Sequence, residues 1–254
     1  MNGITFSQLT ITQNISYAVS PESPILLQYP TPLTQEIVPK TIHCHNYHWR
    51  DAPVLTAMSL GVTSVEVDVW LVDEQLFVGS REAALEKQRT FDSLYIQPLI
   101  NILRPRNTKS PLGRAANITL SNRFFDTPLQ LLVNIKTDGK TTMPFILRAL
   151  EPLRSKGYLT TFENGVLKPS AVTVVGTGNT PFDSILVLEP RDYFFDAPLT
   201  GFGTNPANAT WSPKMAPIIS GDYTAGDKTR IQYEVRQLKA AWEETLKKGQ
   251  IDFN

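Results

Sequence analysis

The chain has 254 residues, and its 24 basic side chains balance 24 acidic ones. That length forms one large domain or two small ones with a substantial core, and the neutral balance leaves no electrostatic footprint for nucleic acid or an anionic membrane. No run approaches the roughly 18–20 apolar residues of a transmembrane helix, and the single cysteine, Cys44, excludes an intramolecular disulfide and a Cys-x-x-Cys metal site.

Residues 1–40 are polar, carry prolines at 21, 24, 30, 32 and 39, and show no periodicity, so they read as an irregular N-terminal extension before a domain over 41–254. The opening residues lack the basic and apolar regions of a secretory signal. Sequons at Asn14, Asn117 and Asn208 hint weakly at secretion, and the compartment stays unassigned. "TIHCH" (41–45) then reads as a strand, and "DAPVLTAMSLGV" (51–62) as a helix stopped by Gly61. "SVEVDVWL" (64–71) is the next strand, followed by the short apolar piece Leu76 to Val78, which ends in Gly79-Ser80. "SLYIQPLINILR" and "MPFILRALEPLRSKG" are helix-like and flank the strand "LQLLVNIK" (129–136). "AVTVVGT" (171–177), "SILVLE" (184–189) and "APIIS" (216–220) read as further strands, and "VVGTGNTP" (174–181) as a strand-to-helix turn. "RDYFFDAPL" (191–199), taken alone, reads as aromatic packing beneath a loop. "IQYEVRQLKAAWEETLKKG" is a last helix with Gly249 at its end. Strands alternating with helices imply a parallel sheet buried on both faces, in an incomplete (β/α) barrel or a doubly wound sheet.

The residues that carry chemistry fall at strand ends. Side chains alternate along a strand, so Glu66 and Asp68 share one face of 64–71 while Val65, Val67, Val69 and Leu71 share the other. Two acids so placed lie within about 7 Å of one another, and burying them demands a divalent cation, a basic partner such as Arg50 or Lys136, or protonation of one acid. The three histidines, His43, His45 and His48, cluster at the end of the first strand, with His43 and His45 on one face. Asn134 and Lys136 share a face of 129–136, where a lysine neutralises the acids, holds a phosphate oxygen, or reaches to solvent. No Walker loop, dinucleotide fingerprint or Gly-x-Ser-x-Gly elbow is present. His43-Cys44-His45 matches the His-x-His of zinc amidohydrolases, but that site needs later histidines and none follows His48.

"HCHNYHWRDAPVLTAMSLGVTSVEVDVWLVDEQLFVGS", "QRTFDSLYIQPLINIL", "LLVNIKTDG", "LEPLRSKGYLT", "TVVGTGN" and "RDYFFDAPL" occur in an order that resembles the fungal Altered inheritance of mitochondria protein 6 family. The likeness spans roughly residues 41–200 and implies an α/β fold, a TIM-type (β/α) barrel of the phospholipase C-like phosphodiesterase kind. It further implies metal-dependent cleavage of a phosphodiester, with a glycerophosphodiester or lysophospholipid-like small molecule as substrate. By the same resemblance His45 and Lys136 are the catalytic positions, and Glu66, Asp68 and Asn134 the positions that hold Mg²⁺ or Ca²⁺. This chain departs from the family pattern in three places. Ser80 stands where relatives have the second histidine, Asn134 where many have Asp, and His48 follows a stretch that has lost an acid. Relatives also carry two further strands after the last helix, which implies a barrel incomplete at its C-terminus. Since serine cannot exchange a proton at neutral pH, the competing expectation is an inactive member that binds a ligand or partner.

Overall fold

The structure, a computed structural model, describes residues 39–45, 49–103, 128–198 and 214–220. Most of the expected N-terminal extension, the three sequons, His48 and the helix over 231–249 lie outside the described residues. The elements run β1 (Lys40–Cys44), α1 (Pro53–Ser59), β2 (Val62–Val72), β3 (Gln75–Val78), α2 (Gln97–Leu103), β4 (Leu129–Ile135), α3 (Gly139–Arg154), β5 (Thr161–Glu163), β6 (Val166–Lys168), β7 (Val172–Gly178), α4 (Phe182–Leu186), β8 (Tyr193–Pro198) and β9 (Ile218–Ser220).

The main sheet is ordered β1-β2-β4-β7-β8-β9, every neighbouring pair parallel, with β3 folded back antiparallel on β2. Each new parallel strand is added at the same edge. A doubly wound sheet reverses direction at a switch point; among the described residues this sheet does not. The result is an α/β fold with a curled parallel sheet, a half-barrel. Val65, Val67 and Val69 of β2, Leu131 and Val133 of β4 and Val174 of β7 face outward into one large core with α1, α2 and α3. The concave face holds a smaller cluster of Leu132, Val175 and Phe194, against which Phe162, Leu167 and Ile218 pack.

That smaller cluster explains the β5–β6 hairpin, which the sequence reading did not anticipate. Its residues Phe162 and Leu167 sit against the inner face, and Phe162 exchanges backbone hydrogen bonds with Arg191 just before β8. The hairpin therefore floors the concavity with apolar side chains at the amino ends of the strands. Arg191 lies over both Phe162 and Phe194, 4.7 and 5.5 Å from the ring centres. The opposite, carboxyl end is left to polar groups.

Two sequence expectations are corrected. "SILVLE" is no strand: α4 covers its first half, because Phe182, Ile185 and Leu186 recur at helical spacing behind Pro181. Val187, 79% exposed, has no buried face to offer a sheet. "RDYFFDAPL" instead supplies β8, in which Tyr193, Phe194 and Phe195 are all buried, as a parallel strand covered on both faces requires. The helix at 93–104 also begins earlier than its α-helical part, as a π-helical turn over Asp92–Ile96.

Ile146, fully buried in the middle of α3, tests the outer core. Ile146→Ala is expected to cost about 2–5 kcal/mol in denaturant unfolding with an unchanged slope. A loss well under about 1 kcal/mol means that α3 is not seated on the sheet as described.

Candidate active site

β2 is the axis of the site. Its parallel register sets Asp68 opposite Asn134 on β4, and Ser64 opposite His43 on β1. Because a one-residue slip would move every side chain to the other face, this register decides that Glu66 and Asp68 meet their neighbours on the concave side. Both acids are almost fully buried, with side chains 8% and 6% exposed.

Each neighbouring strand answers them with donors. From β1, His43 Nε2 comes within 3.3 Å of Glu66 Oε2 while its Nδ1 is 2.8 Å from Ser64 Oγ. His45, just beyond β1, brings Nε2 within 3.3 Å of the same Glu66 oxygen. From β4, the Asn134 amide donates to Glu66 Oε1 and to Asp68 Oδ1, both at 2.9 Å. Lys136 Nζ lies 3.4 Å from Asp68 Oδ1. Burial alone pushes the Glu66 carboxyl up. The His43 hydrogen bond, the charge of His45 and the Asn134 amide outweigh that effect and hold it below the ordinary carboxylate range. His45, Glu66, Asp68, Asn134 and Lys136 thus converge at one mouth, at the carboxyl ends of the parallel strands. His43, left without a role on sequence grounds, belongs with them.

Ser80, which the family resemblance singles out, lies two residues past the end of β3. Gly79 donates its N–H to the Asp68 carbonyl, and its own carbonyl accepts the Trp70 indole N–H, which ties the backbone just before Ser80 to β2. Ser80 itself is exposed.

Sequence reasoning missed Asp196. At the carboxyl end of β8 it accepts a hydrogen bond from Ser220 of β9 through Oδ2, while Oδ1 is buried with no hydrogen-bond partner among the described residues. Burial pushes this carboxyl up, the Ser220 and Thr177 hydroxyls moderate the effect, and the negative charge of Glu66 adds to it. Two-residue spacing from buried Phe194 was the available signal, hidden because the stretch was not read as a strand.

A family model described as an AIM6-like phosphodiesterase domain matches residues 31–196. The chain belongs to the Altered inheritance of mitochondria protein 6 family. It is 39% identical over 241 residues to the Altered inheritance of mitochondria protein 6 homolog of Arthroderma benhamiae, covering 88% of this chain and 76% of that protein. It is 37% identical over 179 residues to Altered inheritance of mitochondria protein 6 of Eremothecium gossypii, covering 66% of this chain and 45% of that one. For the Saccharomyces cerevisiae S288c protein of the same name the identity is 31% over 189 residues, 66% of this chain and 47% of the relative. The chain therefore spans about half the length of these two relatives. No solved structure matches it.

The cation that the family resemblance implies can be weighed against this donor set. A hard cation takes oxygen ligands. Here the acid pair faces an amide nitrogen and an ammonium, and the oxygen of Asn134 is turned aside, so close to Gly178 that a Cβ built there would lie 2.3 Å from it. Among the described residues no group of three or more His, Cys, Asp or Glu side chains is arranged to hold a metal ion. In this arrangement the residues do not fit the cation.

The raised carboxyl of Asp196 has a consequence for stability. A carboxyl whose folded-state affinity for protons exceeds its unfolded one favours the fold below the unfolded pKa of about 3.9, and this contribution is lost as pH rises through the folded value. Asp196→Asn is therefore expected to raise the melting temperature at pH 7 and to lose that advantage near pH 3. An advantage that grows as pH falls contradicts the assignment.

Proposed function

We propose that the chain is a phosphoric diester hydrolase-like protein whose mouth receives a glycerophosphodiester or lysophospholipid-like small molecule, within a (β/α) barrel that closes beyond the described strands. The observation that supports this reading is the convergence of His45, Glu66, Asp68 and Lys136 at the carboxyl end of a curled parallel sheet, where barrel enzymes carry their chemistry. It agrees with the phosphodiesterase-like character of the family domain.

In this reading Lys136 offers its ammonium to a phosphoryl oxygen, a role suited to a compact point charge. Bound phosphate would share that ammonium with Asp68. Glu66 orients both imidazoles through one oxygen, and His45, the more exposed of the two at 56%, is the one placed to exchange a proton with solvent or substrate. Hydrolysis then needs a second group for the other proton transfer. Where relatives place an imidazole, this chain offers the Ser80 hydroxyl.

That residue favours a second reading, an inactive family member that keeps the phosphodiester pocket for binding. Loss of one proton-transfer group typically costs about 10²–10⁴-fold in rate. Purified protein assayed with bis-p-nitrophenyl phosphate separates the two. A slow turnover removed by His45→Ala and raised about 10²–10⁴-fold by Ser80→His supports a weakened hydrolase. No turnover in either the wild type or Ser80→His, with the phosphodiester still bound, supports the binding role and defeats the catalytic one.

A further inference from the structure

We propose that the Glu66–Asp68 pair of this chain is closed by the protein's own donors and takes no divalent cation, with the Asn134 amide as the residue that decides it.

The geometry carries the inference. One nitrogen, Nδ2 of Asn134, stands 2.9 Å from an oxygen of each acid, so a single NH₂ group uses its two hydrogens to bridge both carboxylates. The bridge also fixes which end of the amide faces the pair. An oxygen at that point would press against two carboxylate oxygens with no proton between them. A cation between Glu66 and Asp68 would therefore have to break both hydrogen bonds and turn the amide over, because asparagine ligates a hard cation only through its oxygen. Turning it over would carry the nitrogen to the Gly178 side, where the chain packs closely enough that a Cβ would meet the present oxygen.

Charge adds to the argument. The two acids supply two negative charges, and Lys136 at 3.4 Å from Asp68 already returns one positive charge. His43 and His45 occupy the remaining approach to Glu66 through Oε2, so three of the pair's four carboxylate oxygens are engaged by protein nitrogens. Among the described residues, an entering cation would meet an ammonium of its own sign beside the two carboxylates of the pair. With aspartate in place of Asn134 the same geometry would put a third carboxylate where the amide now donates, leaving Lys136 and the imidazoles to face three acids, which favours a cation.

Isothermal calorimetry with Mg²⁺ and with Ca²⁺ tests the proposal on the wild type and on Asn134→Asp. The wild type is expected to show no binding up to about 1 mM, the weak end of protein calcium sites, whereas Asn134→Asp gains one equivalent at least about tenfold tighter than that limit. Wild-type binding of one equivalent that Glu66→Gln removes overturns the proposal. So does an Asn134→Asp protein that keeps the wild-type circular dichroism and melting profile yet binds nothing.

The cation result stands apart from the proposed function, on which only the ligand arm rests. Bis-p-nitrophenyl phosphate titrated into the wild type in excess chelator is expected to bind, and Lys136→Met to weaken it. Binding that appears only when Mg²⁺ is restored overturns cation-free recognition. Absence of binding under both conditions removes the phosphodiester reading, while the calorimetric answer on the acid pair still decides this inference.

Discussion

Two carboxylates held almost out of water on the concave face of β2 are the constraint around which the mouth is built. An unpaired buried charge costs several kcal/mol even after relaxation, so the flanking strands must deliver donors to defined atoms. β1 and the residue after it bring two imidazoles to one oxygen of Glu66, while β4 brings an amide and the residue after it an ammonium. These contacts depend on the parallel register that pairs Asp68 with Asn134, and on the outward valines of β2 that lock that register into the helical core. Fold and site are in this sense one arrangement. A register slip would bury the valines wrongly and strip the acids of their partners together.

The division of the concave face follows from the same strands. At one level of the register the inward residues are Glu66, Leu132, Val175 and Phe194, the last three packed against the β5–β6 hairpin. One step nearer the carboxyl ends they are Asp68, Asn134, Thr177 and Asp196. The apolar side chains beside Glu66 lower the local dielectric, which strengthens the electrostatic interactions of the acid pair.

Much of this was legible in the sequence. Alternation in "SVEVDVWL" put the acids on one face, and the two-residue spacing of Asn134 and Lys136 put them together on the next strand. The run "RDYFFDAPL" was not legible, because a strand buried on both sides has no alternation to reveal it. "SILVLE" deceived for the converse reason: a short helix of apolar residues looks like a buried strand when length is the only arbiter. Asp196 was lost with its strand. Nor does the identity of Asn134 reveal which end of its amide faces the acids, since that depends on the distance between carboxylates contributed by another strand.

The mouth rests on mutual compensation between the acid pair and the lysine that faces it, and the decisive test is a double-mutant cycle between Asp68→Asn and Lys136→Met, with stability measured by denaturant unfolding in excess chelator. Compensation predicts a coupling energy of about 1 kcal/mol or more, with Lys136→Met costly alone and much cheaper once Asp68 is neutral. Additive effects, within about 0.3–0.5 kcal/mol, would contradict it.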